Sequence, residues 1–228
     1  MRTAILIDGG HLRARAQAAG LHYSNDLIEK AARACVAKDE DLFRILYYDC
    51  APFSGTVQLP VSGNEKVFTP NDGWLRELAT RELFAVRRGV LKFRGFKPKR
   101  IPVKDRALTD ADFEADFEQK GVDMRIGLDM ASFSERKSVD RVTLVTADTD
   151  CVPAMKHARI AGLQVRLMHC EKSQPPAELK WHADFVTELK WPAGLEVSTR
   201  YRPKPAAAAA PKTAMGSALA AAKDRQKA

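Results

Sequence analysis

The sequence predicts an α/β fold built on a mainly parallel sheet, and three observations carry that expectation. Two short apolar runs, Ala4-Ile5-Leu6-Ile7 and Val142 to Val145, are bounded by Gly or by polar turn residues, as buried parallel strands are. The second run opens a strand, helix, strand stretch of about 30 residues, a βαβ unit whose crossover should be right-handed. The chain is 228 residues long and 45% hydrophobic, enough to build the core of one such domain without disulfides.

Taken in order, residues 3 to 7 read as the first strand and Gly9-Gly10 as the turn into a helix over about 11 to 19. A second helix is expected over 25 to 37, with Ser24 or Asn25 as N-cap and Leu27, Ile28, Ala31, Ala34 and Cys35 at helical spacing. Leu42 to Tyr48 reads as a strand. Residues 49 to 72 contain Pro52, Gly55, Pro60, Gly63 and Pro70 and read as a long surface excursion, a kind of loop that is uncommon unless functional or disordered. A helix capped by Asn71 or Asp72 should run to about Arg81, followed by a strand or hairpin arm from Leu83 to Phe93 and a loop from Gly95 to Arg106. A helix is expected from about Asp110 to Gln119. Another follows from Gly121 to Phe133, where Val122, Ile126 and Met130 form one stripe. Val142 to Val145 is a strand, Val152 to Ala161 a helix stopped by Gly162, and Leu163 to Met168 a strand. If Asp150 is the N-cap of that helix, Pro153 falls at N3, where its missing N–H breaks no intrahelical bond. The expected organisation is one domain over residues 1–195 and a flexible Ala/Pro/Lys-rich basic tail over 203–228.

The cysteines, Cys35, Cys50, Cys151 and Cys170, show no C-x-x-C pair and no zinc-finger spacing, so reduced thiols in a cytoplasm are the plain reading. No apolar stretch has the length of a signal peptide core or a membrane span. The formal charge of +8 suggests nucleic acid, but its distribution tempers that. Seven Lys/Arg and one Asp lie from Arg200 onward, a net of +6, which leaves 30 basic and 28 acidic residues over 1–199. Within the body, residues 87–106 hold nine Lys/Arg against Asp105, and Asp110, Asp112, Glu114, Asp116 and Glu118 follow at once. That block reads either as a phosphate-binding strip or as charges neutralised by their acidic neighbours.

The candidate chemistry lies in aspartates. Asp8 ends the first apolar run, and Asp148 and Asp150 flank Thr149 just after the Val142 to Val145 run, so the C-terminal edge of a parallel sheet should gather carboxylates. Two carboxylates about 4 Å apart repel by roughly 4 kcal/mol at an effective dielectric of 20. A cluster of them therefore calls for a hard divalent cation such as Mg2+ or Mn2+. Taken singly, Asp123 and Asp150 also read as helix caps.

Four segments together resemble the NYN domain, and more narrowly its LabA-like branch. They are Ile7-Asp8-Gly9-Gly10-His11-Leu12, Tyr47-Tyr48-Asp49-Cys50-Ala51-Pro52, Gln119 to Asp123 running on to Leu128-Asp129, and Thr146-Ala147-Asp148-Thr149-Asp150-Cys151-Val152-Pro153, in order over residues 3 to 190. The resemblance implies a PIN-like, Rossmann-like fold with helices on both faces of the sheet and a metal-dependent ribonuclease activity. Carried over by position, Asp8, Asp123, Asp148 and Asp150 would be catalytic and would hold Mg2+ or Mn2+. RNA, single-stranded by expectation, would be the partner, with His11, Lys120, Arg94 and Lys97 as possible substrate contacts. His11 stands where the family often has an asparagine, and an imidazole there would bear on pH dependence. Asp129 reads as an outer or surface group, since six residues turn it about 120° from Asp123 on a helix. Asp49 is a lesser candidate, and Tyr47 and Tyr48 read as core.

Two other functions compete with the nuclease. One is an RNA-binding or regulatory module of the same fold with little or no turnover. The other is a nucleotide-binding α/β protein, which ranks last: no G-x-G-x-x-G follows the first strand and no G-x-x-x-x-G-K-[ST] occurs anywhere.

Overall fold

In a computed structural model of the protein, which describes residues 1–101 and 106–199, seven strands form one twisted sheet in the order β6-β5-β2-β1-β7-β8-β9. These strands are β1 (Arg2–Asp8), β2 (Asp41–Cys50), β5 (Phe84–Pro98), β6 (Phe113–Lys120), β7 (Arg141–Val145), β8 (Gln164–Cys170) and β9 (Phe185–Leu189). Every pairing is parallel except β5 with β6, so the mainly parallel sheet expected from the apolar runs is present.

Side chains alternate across the sheet, and each face has its own helical layer. Ile5, Ile7, Ile45 and Tyr47 point to one face, where Leu12 of α1 (Gly9–Ala18), Ile28 and Ala31 of α2 (Asn25–Ala34), and Leu75 and Leu78 of α3 (Gly73–Thr80) cover them. Ala4, Leu6, Leu46 and Tyr48 point to the other, beneath α4 (Val122–Arg136), α5 (Val152–Ile160) and α6 (Ala177–Trp181). The stripe of Val122, Ile126 and Met130 is buried as its spacing predicts, each side chain worth roughly 1.5–3 kcal/mol relative to exposure. Gly162 follows α5 with φ +86°, a left-handed stop that suits glycine. Ser24 caps α2 by accepting from the Leu27 N–H at 3.3 Å, and Asn25 is the first helical residue.

Several expectations are corrected. Gly9 and Gly10 are the first residues of α1, with Asp8 as N-cap, and not a turn before it. The 49–72 excursion contains a hairpin, β3 (Gly55–Gln58) with β4 (Glu65–Phe68). The stretch taken for a helix at 110–119 is a short 3-10 turn followed by strand β6, and β5 runs on to Pro98 through part of the expected loop. Phe113 and Phe117 satisfy both a helical i, i+4 spacing and a strand period of two, and the pairing of Phe117 with Phe93 decides for the strand. Phe53, Phe68, Phe93 and Phe117 pack with ring centroids 5.6–6.4 Å apart, giving this arm a small aromatic core of its own. Elements α6 and β9 were not expected. The proposed tail over 203–228 lies outside the described residues.

The cysteines are free and buried. No helix among the described residues is long and apolar enough to cross a membrane.

Gly9 tests the close fit of α1 on β2. A Cβ there would stand 2.6 Å from Tyr47 Cζ and 2.8 Å from the Tyr48 carbonyl oxygen, the latter backbone that cannot swing aside. Gly9→Ala is therefore expected to destabilise the fold by about 1–3 kcal/mol despite alanine's better helix propensity, read as a lowered urea midpoint at unchanged m-value.

Candidate metal centre

The C-terminal ends of β1, β2 and β7 lie side by side, and the N-terminal turn of α4 faces them. Asp123, Asp148 and Asp150 each present a carboxylate oxygen there, and the three oxygens lie within 4.8 Å of one another. Among the described residues, none of the three is ion-paired with Lys or Arg. Three like charges gathered without a counter-charge are unfavourable by several kcal/mol at this spacing, so the donor set suits a hard cation that takes oxygen ligands.

Local backbone geometry aims each group. Gly121, in the left-handed conformation, occupies the N-cap of α4, so Asp123 is not the cap; it sits in the first turn. Burial, then the nearby Asp148, pushes its carboxyl above the usual range. Asp148 follows β7 and caps the 3-10 turn Thr149–Cys151, accepting from the Asp150 N–H at 2.9 Å. Asp150 is thus inside that turn and exposed, not the cap of α5, and Pro153 is the second residue of α5.

Asp8 stands beside the three but outside their group. As N-cap of α1 it accepts from the His11 N–H at 3.1 Å, and it accepts the Thr146 hydroxyl at 3.2 Å. Burial raises its pKa, opposed by these bonds, and the charge of Asp148 adds to the rise. Thr146, fully buried, also accepts from the Asp148 N–H at 3.1 Å, so one hydroxyl links Asp8 to Asp148. Thr146 belongs to the Thr146 to Pro153 segment, and nothing in its residue type distinguishes it from a β-branched core residue.

His11 is half-buried, and desolvation followed by the neighbouring Arg15 charge lowers its pKa to about 4. Its ring is therefore neutral at pH 7, and its titration is moved below the physiological range. Asp129 accepts from Tyr48 Oη at 2.9 Å and from Arg87 at 2.9 and 3.2 Å. It is an outer group, as its helical position implied. Asp49, only 2% exposed, pairs with Arg13 and accepts from Tyr47 Oη at 3.0 Å, a buried network the sequence did not signal.

Several cations of the basic strip are paired with nearby acids, two of them across the β5–β6 ladder. Arg94 faces Glu118 at 3.5 Å and Lys97 faces Asp116 at 3.0 Å, while Lys120 pairs with Glu118 and Arg106 with Asp112. Arg88 meets Asp72 at 2.7 Å. Such exposed pairs are worth about 0–1 kcal/mol each and leave the cations available for exchange.

A family profile described as "NYN domain" matches residues 2–190. No curated protein matches. Among solved structures, a protein of unknown function from Vibrio parahaemolyticus is 18% identical, with 82% of this chain and 92% of that one aligned at a TM-score of 0.45. MurG from Acinetobacter baumannii is 15% identical, with 89% of this chain and 46% of that one aligned at a TM-score of 0.35. At such TM-scores neither likeness bears on fold or function.

Proposed function

The chain belongs to the NYN-domain family, and from that membership we propose that it is a metal-dependent ribonuclease, of the LabA-like branch, acting on single-stranded RNA. The observation that carries this reading is the convergence of Asp123, Asp148 and Asp150, from two separate parts of the chain, within 4.8 Å and, among the described residues, without a paired Lys or Arg. These three residues would hold Mg2+ or Mn2+. When bound, such an ion supplies an activated water and charge stabilisation for the leaving oxygen.

The protein's own residues do the rest. Asp8 is positioned by Thr146 and the His11 N–H. Held in this way at the edge of the centre, it is placed to orient a water there. Neutral His11 offers RNA a hydrogen bond and no charge. Lys120, Arg94 and Lys97 would exchange their carboxylate partners for backbone phosphates, a swap that makes RNA affinity fall with salt. The four buried free thiols fit a cytoplasmic location.

The test is cleavage of end-labelled single-stranded RNA with Mn2+ or Mg2+ and with EDTA. Cleavage is expected with the ions and none with the chelator. In parallel, Mn2+ at about 100 times its Kd should stabilise the fold by about 2.7 kcal/mol, and Asp123→Asn should lose that gain while being the more stable apoprotein, because one of three crowded charges is gone. Salt-dependent RNA binding with no cleavage under any ion would instead establish the binding-module alternative.

A further inference from the structure

We infer that the cavity between α1, α2, α3 and the end of β2, walled by Trp74, Tyr23 and Asn25, is a pocket for one neutral nucleobase of the RNA substrate; this rests on the ribonuclease reading. The cavity has a volume of about 790 Å³, within the range of small-molecule sites. It opens beside the centre: at its rim the Gln119 amide comes within 3.3–3.4 Å of where a Gly10 Cβ would stand, and Asp8 Oδ1 within 3.3 Å of the same point. Gly10 thus lies between Gln119 at the rim of the cavity and Asp8 beside the acidic cluster, so a nucleotide whose base enters the cavity would have its backbone on the side of that cluster.

Charge excludes a phosphate as the occupant. Arg13 is committed to buried Asp49, and Arg81 to Asp26 and Glu29 at 2.7 Å each and to Glu77 at 3.3 Å. What remains is flat and hydrogen-bonding. The Arg13 guanidinium lies over the Tyr23 ring at 5.2 Å and over that of Trp74 at 5.8 Å, so the three planar groups share one cavity wall, and a base would stack there on the guanidinium plane or on the Trp74 face that Arg13 does not cover. Asn25, 8% exposed, donates through Nδ2 to the Trp74 carbonyl at 3.0 Å, while its buried Oδ1 has no hydrogen-bond partner. An orphaned acceptor in the wall is unfavourable until a donor reaches it after a small side-chain shift, and the exocyclic amine or ring N–H of a base is such a donor.

The full chain, held in EDTA, should show tryptophan quenching by at least one of adenosine, guanosine, cytidine and uridine. Trp74→Phe should still bind that nucleoside in equilibrium dialysis yet lose the quench, since Trp181 and Trp191 do not line the cavity. With metal and RNA, Trp74→Leu should raise KM about 5- to 150-fold, the loss of one base stack, and flatten the base preference at the cut, while Trp74→Phe restores both. Should Trp74→Leu fail to fold, Gln119→Ala at the exposed rim reads the same base preference. Absence of binding at millimolar nucleoside, or an RNA KM and base preference that these variants leave unchanged, would overturn the pocket even if RNA is cut. Nucleoside binding with an unaltered RNA KM would assign the cavity to free nucleotides and likewise overturn the substrate role. Nucleoside binding with no RNA cleavage under any ion would instead overturn the nuclease reading and leave a base-binding site.

Discussion

Asp148→Asn is expected to lower metal-dependent RNA cleavage by at least about 10²-fold, because groups that merely orient a metal ligand already change affinity or activity 10- to 100-fold. The substitution isolates chemistry from folding. Asparagine keeps a side-chain oxygen that can accept from the Asp150 N–H, so the 3-10 turn Thr149–Cys151 retains its cap and Asp150 its place. The charge that draws a cation is what disappears. Matched urea transitions for the two proteins, with cleavage followed at saturating Mn2+, separate the outcomes. Equal cleavage rates would remove the carboxylate cluster from the mechanism.

The second large effect lies at the opposite edge of the sheet. Glu40, whose side chain is fully buried, joins Arg141 at the start of β7 to Arg166 of β8, the latter at 2.6 Å, and accepts from the Ala37 N–H at 2.9 Å. Arg166 in turn donates to Thr143 Oγ1 and to the Cys35 carbonyl. Glu40→Gln strands two arginines in a dry region, and breaking a buried pair in this way is expected to cost about 3–5 kcal/mol, roughly 6–20 °C in Tm for a chain of this size. Burial alone would raise the Glu40 pKa, but the Arg166, Ala37 and Arg141 hydrogen bonds outweigh it and hold the carboxyl below its usual value. The sign follows: a depressed folded pKa contributes stability that is present above the unfolded value near 4.5 and is lost as pH falls through the folded value. Wild type should therefore lose this increment below about pH 4.5, and Glu40→Gln should show a flatter acid limb in urea denaturation across that window.

Most of the sheet could be read from residues whose neighbours speak for them. Ala4 to Ile7, and Val142 to Val145 apart from Thr143, are apolar on both sides because helices cover both faces, and such a run needs no partner to be recognised. The strand Phe113–Lys120 was read as a helix because its Phe, Ala, Phe spacing fits two periods, and only cross-strand pairing with β5 distinguishes them. β9 is not legible in the sequence because its five residues, Phe-Val-Thr-Glu-Leu, make neither a continuous apolar run nor an alternation, and four of them are exposed at the sheet edge. The acidic cluster was partly visible. Asp148 and Asp150 advertise themselves by spacing, and Asp123 gains meaning only beside them, whereas the capping of α1 by Asp8 hinges on a helix that begins one residue after the strand. Buried Arg166, Glu40 and Asp49 carry no local signature, because a charged residue in sequence reads as surface until its partner is found.

The β1–β7 pairing has a consequence for how the protein comes into being. The Thr146 hydroxyl that holds Asp8 belongs to a residue 138 positions further along the chain, and β1 sits at the middle of the sheet between β2 and β7. During synthesis the first strand waits, half covered, for a partner made more than a hundred residues later, and such non-local parallel pairings close slowly. The acidic cluster, with Asp8 in place, thus needs both ends of this long-range pairing before it can assemble. A partly made chain that holds Asp8 without Asp148 lacks the full set of carboxylates, so the proposed metal centre cannot form until β7 and the turn after it have been made.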